Sequence, residues 1–267
     1  AIELRNEYFN IGFLLSYGAY VFGNNNTNDK DIGIAKGNAV KGAKIMWELA
    51  GVMDEKCIDD SFTNGRAPML ANGTIFATIT TPDITSQFLK EMSLQYQKEG
   101  LDQASADAKA KENLVITGLP KLPKDGDITT QQDIKNNDLW IEQQTMGGVN
   151  GYAVSSYTKN RDWAVKFVEF ATGYEMVKAR ADMLARSDVI AQTESLASQI
   201  TYRNLDSGVL EVMPSISAVK QIWTPISSGF KQIATDGCGK RSFDTAKLQS
   251  VIEEISSNIY KAIHTFA

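Results

Sequence analysis

Apolar residues recur at three- and four-residue intervals along much of this chain, the spacing of helices with one buried face. Leu248, Val251, Ile252, Ile255, Ile259 and Ile263 form the clearest stripe, and Asp244 before it is a good N-cap. Ala164, Phe167, Val168 and Ala171 form another between Asn160, a plausible cap, and Gly173, a natural stop. Val40, Ala43, Trp47 and Ala50 make a third, capped by Asn38 and ended by Gly51. Trp47 and Trp163 lie on such periodic faces and read as core.

The spacing predicts further helices within Ile11–Tyr17, over Glu55–Phe62, and from Ser86 to Asn113, where Phe88, Met92 and Tyr96 are the apolar positions and Gly100 divides the run in two. Tyr174–Ala185 continues helical, Thr193–Asn204 is helical or irregular, and Ser217–Ala234 is a helix bent near Pro225. Short apolar or alternating runs read as strands: Ala67–Ala71, ended by Asn72-Gly73, Leu114–Gly118 and Tyr152–Ser155. Ser187–Ala191 reads as extended. Gly23–Asp31 and Pro120–Asn137 read as loops. The Asx-rich first loop lacks the full calcium-loop pattern. Helices outnumber strands, but the strands are short, apolar and separated by helices. The class is therefore α/β, with helices covering a mixed sheet.

Composition narrows function mainly by exclusion. The 267 residues include 43% hydrophobic ones, enough for a sizeable core, and carry a net charge of −5 with no basic run. That argues against nucleic acid or an anionic membrane surface as the main partner. No apolar stretch approaches the roughly 18 residues needed to span a bilayer. Ala1–Arg5 has no signal-peptide organisation. His264 is the single histidine, so a histidine-rich metal site is excluded, and a helix C-terminal role suits it. Cys57 and Cys238 make no disulfide framework or zinc motif; two separate thiols or one bridge both fit. The adjacent pairs Asp59/Asp60 and Glu253/Glu254 point about 100° apart on a helix, which makes poor glycosidase dyads.

Several landmarks occur in an order that resembles one family. Glu7-Tyr8-Phe9 is an acidic-aromatic segment, and Gly65–Thr74 (GRAPMLANGT) looks like a strand and turn. Gly147-Gly148 introduces a short strand and helix; Met213-Pro214-Ser215-Ile216, Ile222-Trp223 and Asp236-Gly237 follow before the last long helix. This series resembles the extracellular solute-binding proteins of ABC sugar importers, the maltose-binding branch in particular. The resemblance implies a periplasmic-binding-protein-like (type II) fold: a lobe of residues 1–149 and 190–267, and a segment, 150–189, of a first lobe that is otherwise missing. The chain would then correspond to the C-terminal two-thirds of a two-lobed protein, and the missing lobe or another chain would cover the apolar face around Phe167 and Phe170.

What the family implies for function is a carbohydrate held between lobes, delivery to an ABC permease, an extracytoplasmic location, no cofactor and no catalysis. Tyr8 and Phe9 match its paired aromatics, Trp223 a sugar-stacking tryptophan, and Asn6 an acid that bonds sugar hydroxyls. Flat rings stack on the apolar faces of pyranoses, while planar amides take hydroxyls. Gly148 is a further ligand-binding candidate, and Gly147 and Gly148 the expected hinge. Two departures stand out. Gly73-Thr74-Ile75-Phe76 replaces a Gly-Pro-Trp, so Phe76 or Trp140 would supply the lost ring; and the arginine expected one turn after Trp223 is Ser227. The alternatives are a partner-binding or sensor module without a small ligand, or a glycan-processing enzyme.

Overall fold

The computed structural model describes residues 1–58, 61–81, 84–130, 132–148, 151–180, 187–190, 196–239 and 243–265. Asn6 opens helix α1 (Glu7–Leu15) by accepting from the Phe9 N–H. The polar stretch after it is more ordered than a plain loop. A tight turn, α2 (Gly23–Asn26), holds Asn24, Asn25 and Asn26 in the left-handed region, which asparagine tolerates better than most residues, and leads into strand β1 (Asn28–Ile32). Helix α3 (Ala39–Gly51) follows Asn38, whose side chain makes no cap hydrogen bond. A 3-10 turn covers Glu55–Cys57.

Helix α4 (Ser61–Ala71) corrects the strand expected at Ala67–Ala71. A five-residue apolar run does not separate a strand from a buried helical turn by periodicity. Ala67, Met69 and Leu70 are strong helix formers with no β-branched neighbour, and the helix forms although Pro68 lies inside it. The stop at Asn72-Gly73 is where it was expected: both N–H groups close back onto the last turn.

Helices α5 (Thr85–Lys98) and α6 (Gln103–Asn113) divide at Gly100, whose φ of +102° few side chains tolerate. Phe88 and Met92 are buried as their spacing predicts. Leu114–Gly118, expected as a buried strand, joins no ladder among the described residues, and Val115 is 80% exposed. The Pro120–Asn137 loop contains strand β2 (Leu122–Pro123), paired antiparallel with β3 (Trp140–Ile141). Strand β4 (Thr145–Gly147) comes next. Tyr152–Ser155 likewise joins no strand. A strand needs a neighbour to take its backbone hydrogen bonds, and alternation in the sequence does not supply one.

Helix α7 (Arg161–Thr172) ends at Gly173, which also starts α8 (Tyr174–Ala179). The continuation to Ala185 falls outside the described residues. Ser187–Ile190, expected as extended, is a single helical turn, α9, because Val189 buries itself against Tyr174, Val177 and Tyr202. Helix α10 (Leu196–Asp206) precedes β5 (Leu210–Val212), which pairs parallel with β4. A 3-10 turn at Ser217–Gln221 leads to α11 (Trp223–Cys238). Pro225 lies in its first turn, where a missing N–H costs nothing, so it starts a helix rather than bending one. Asp244 caps α12 (Thr245–His264) through the N–H groups of Ala246 and Lys247, at 2.9 and 3.2 Å.

The chain is α/β and helix-rich. Among the described residues its sheet is two separate two-stranded ladders rather than one continuous mixed sheet. It divides into two compact units: Ala1–Ile79, Leu119–Gly147 and Val209–Ala267 form one, and Thr80–Gly118 with Gly148–Gly208 the other. This grouping differs from the division at 149 and 190 for residues 80–118, 148–149 and 190–208. The first unit has a closed core in which α1, α3, α11 and α12 bury Phe13, Ile45, Met46, Phe230, Ile233 and Ile252. Tyr17 ties β2 to this core: its hydroxyl donates to the Pro123 carbonyl at 2.5 Å, and burial pushes its ionisation well above the usual tyrosine range. In the second unit α5 packs on α6, and α7 through α10 contact one another in sequence.

Trp47 packs partly buried against the core of the first unit, as expected. Trp163 does not: it is 74% exposed, with the Lys166 ammonium 5.0 Å from its ring centre. Periodicity says which residues share a face, not whether anything covers that face. His264 lies in the last turn of α12, 3.3 Å from the Asp29 carbonyl. Cys238 points its thiol at the Ala50 carbonyl, 3.1 Å away; a bridge to Cys57 falls outside the described residues. No described helix is long and apolar enough to cross a membrane.

Candidate ligand-binding site

The strongest convergence of sequence-predicted residues lies in the first unit, where the start of α1 meets the start of α11. Asn6 holds the α1 terminus by its cap, which fixes the backbone at Tyr8 and Phe9. The Tyr8 and Phe9 ring centres are 6.0 Å apart, edge to face. The Tyr8 ring lies 6.4 Å from Trp223, tilted by 54°. All three rings are half-buried, so each keeps part of its surface in solvent. Tyr8 and Trp223 stand 215 positions apart in the chain and meet only because α1 and α11 pack together.

One polar group joins this cluster that its spacing did not predict. The Arg5 Nε–H donates to the Ser227 hydroxyl at 3.3 Å. Ser227 is one helical turn beyond Trp223 on α11, so Arg5 brings a guanidinium to the turn where the family pattern led us to expect an arginine from α11 itself. The two residues are 222 positions apart, and nothing local in the sequence links them.

The other candidates sit elsewhere. Phe76 is 99% exposed and makes no described ring contact with the cluster. Trp140 is half-buried in β3, opposite Pro123, and its indole N–H donates to the Asp133 carbonyl at 3.1 Å. Gly147 ends β4 opposite Val212; a Cβ there would come within 2.6 Å of the Leu210 side chain, which would have to shift to make room. The chain leaves the first unit between Gly147 and Gly148.

A separate titratable group joins Lys44, Glu48 and Asp127. Asp127 accepts from the Lys44 ammonium at 2.7 Å and from Thr129, and these bonds hold its carboxyl well below the usual range. Glu48 in the same group is pushed up by burial, against the Ile128 N–H and Lys44 that favour its charged form. Glu253 and Glu254 are both exposed on α12, whereas Asp59 and Asp60 lie outside the described residues. Among the described residues no group of three His, Cys, Asp or Glu side chains is placed to hold a metal ion.

No family model matches the chain. Among curated proteins, a galactooligosaccharide-binding protein of Bacillus subtilis is 26% identical over 250 residues, covering 85% of this chain and 48% of that protein. A maltooligosaccharide ABC transporter solute-binding lipoprotein of Streptococcus pneumoniae is 23% identical over 231 residues, covering 84% and 46%. The chain thus spans about half the length of the curated relatives it matches. Among solved structures, MalX from Streptococcus pneumoniae in complex with maltopentaose superposes with a TM-score of 0.70 at 20% identity, over 97% of this chain and 60% of that one. The maltose-binding periplasmic protein MalE from Listeria monocytogenes, in complex with maltose, gives 0.61 at 21% identity, over 97% and 59%. The chain's homologues are therefore oligosaccharide-binding proteins, an ABC-transporter solute-binding lipoprotein among them, and its fold is that of the maltose-binding proteins.

Proposed function

We propose that this chain is part of the solute-binding component of an ABC importer, and that it binds an oligosaccharide outside the cytoplasmic membrane and delivers it to the membrane permease. The observation that carries this reading is the half-buried cluster of Tyr8, Phe9 and Trp223, built from two distant segments within a fold shared with maltose-binding proteins. A sugar ring would stack on these aromatic faces. Asn6 would offer its amide nitrogen to a hydroxyl while its oxygen caps α1. Phe76, Trp140 and Gly148 remain further contact candidates. The protein would do no chemistry on the sugar.

In this reading the first compact unit is the second lobe of a two-lobed protein, and the other unit is the portion of the first lobe this chain supplies. Gly147 and Gly148 form the hinge about which the lobes close on the ligand. The segment corresponding to the rest of the relatives' length, or another chain, covers the exposed rings of Trp163, Phe167 and Phe170. That exposed face also suits the second reading, a partner-binding or sensor module with no small ligand.

Titration of the protein in its full-length form with maltose, maltopentaose and a galactooligosaccharide, followed by tryptophan fluorescence, tests the proposal. A saturable change with one sugar class, weakened about tenfold or more in Trp223→Ala, is expected for the loss of a stacking ring. A folded protein that responds to none of the panel sinks the carbohydrate reading and moves weight to a partner-binding module. Release of cleaved product would revive a glycan-processing enzyme.

A further inference from the structure

We infer that Asn10 is a positioning residue of this site: it touches no ligand itself, and it holds Asn6 where the Asn6 amide nitrogen meets a hydroxyl of the bound saccharide. The inference rests on the carbohydrate reading above and adds a residue to it. Asn6 is half-buried, and its side-chain oxygen is committed to the Phe9 N–H at 3.0 Å. Its side-chain nitrogen has no hydrogen-bond partner among the described residues, which leaves both amide N–H groups for a ligand. The cap locks the amide to the first turn of α1, so the aim of those donors follows the turn that carries Asn6.

Asn10 closes that turn. It lies one helical turn beyond Asn6 on α1 and is fully buried. Its side-chain nitrogen donates to the Glu3 carbonyl at 2.6 Å and to the Asn6 carbonyl at 2.8 Å. The backbone adds a bond to each: the Asn6 N–H donates to Glu3 at 3.0 Å, and the Asn10 N–H to Asn6 at 3.1 Å. One buried amide therefore ties positions 3, 6 and 10 together. The far post is itself held, because Glu3 is buried with the Arg66 guanidinium 4.0 Å from its carboxylate.

The unmet half of the Asn10 amide separates position from stability. Its Oδ1 is buried with no partner, and such an orphan weakens a fold. A leucine branches in the same way and would fill the space without a buried polar atom. Both carbonyls would keep their backbone donors, so neither would be orphaned. What leucine cannot supply is the second bond to each carbonyl, which fixes the direction of the turn. Binding groups need to be held to within about 0.5 Å by their neighbours, and this bond pair does that for Asn6.

The test is calorimetric affinity of the full-length protein for maltose, maltopentaose and a galactooligosaccharide, measured beside the thermal midpoint. The variants are Asn10→Leu, Asn10→Asp, Asn6→Ser and the double variant Asn6→Ser/Asn10→Leu. Serine at position 6 keeps a capping oxygen and removes the amide nitrogen. Asn10→Leu should weaken binding about three- to tenfold, the range for one neutral hydrogen bond, with a midpoint near that of the wild type. Asn10→Asp, which can donate at most one of the two bonds, should weaken it in the same direction. Asn6→Ser should lose a similar factor, and adding Asn10→Leu to it should cost less than about twofold more, because the group being positioned is gone.

Losses that multiply in the double variant would overturn the inference, since residues acting independently behave that way. So would an Asn6→Ser variant that binds like the wild type, or position 10 variants that both bind within about 1.5-fold of it, too little for one such bond. Each of these outcomes leaves the carbohydrate reading intact. A wild type that binds none of the three sugars removes that reading and this inference with it.

Discussion

Helices α7 and α12 carry the same kind of apolar periodicity and end up in opposite environments. On α12, Leu248, Val251, Ile252, Ile255 and Ile259 are all buried, because α3 and α11 supply a complementary apolar face. On α7 only Ala171 is buried, while Phe167 is 58% and Phe170 63% exposed. Both helices belong to compact units of one chain. The contrast shows that an amphipathic helix specifies a surface that needs covering, and that the covering must come from somewhere else. The first unit contains its own partners. In the second, Tyr152 packs edge to face on Phe167 at 5.9 Å, yet is itself 50% exposed.

The largest test of this contrast swaps one residue type between the two settings. Phe230, fully buried on α11, should cost about 3–5 kcal/mol when cut to alanine, through lost burial and a cavity. Phe167→Ala should cost under about 1 kcal/mol in this chain, since most of the ring is already in water. Urea unfolding monitored by circular dichroism measures both. Equal costs would mean that the α7 face is covered in solution, and the contrast would fail.

A smaller effect separates the two helix starts. Asp244 accepts two backbone N–H groups at the head of α12, so Asp244→Ala should destabilise by about 1 kcal/mol. Asn160 makes no side-chain cap bond at the head of α7, so Asn160→Ala should be close to neutral in the same assay. A clear loss at Asn160 would show a cap formed in solution.

The smallest effect is confined to the first unit and to acid. The Asp127 carboxyl is held below its unfolded value by Lys44 and Thr129, so its contribution is present above about pH 4, the unfolded pKa, and is lost as pH falls through the folded value. Asp127→Asn should lower stability at neutral pH and flatten the acid limb of the stability profile below about pH 4. Parallel wild-type and variant profiles there would show that the Lys44 bond does not persist in solution. Because the pair is partly exposed, added salt should shrink the difference.

Local chemistry was legible wherever it was self-sufficient. The Asp244 cap, the division at Gly100, the stops at Asn72-Gly73 and Gly173, and the stripes of α3 and α12 depend on a few neighbouring residues, and their spacing predicts them. The aromatic candidates Tyr8, Phe9 and Trp223 came from the order of motifs, and the structure brings them together. Less legible were the segments whose state depends on distant company. Ala67–Ala71 is apolar enough for either a strand or a helix, and its good helix formers joined α4. Leu114–Gly118 is apolar enough for a buried strand and Tyr152–Ser155 alternates like one, but neither finds a ladder among the described residues.

By itself, then, the sequence determined where helices start and stop and which faces they present, because caps, glycines and side-chain spacing act over a turn or two. Tertiary structure decided which of those faces are buried, that Trp163 is exposed rather than core, and that Arg5 reaches Ser227 beside Trp223. Those outcomes depend on contacts between distant segments, as with Arg5 and Ser227, 222 residues apart, and no short-range pattern encodes the meeting of two such surfaces.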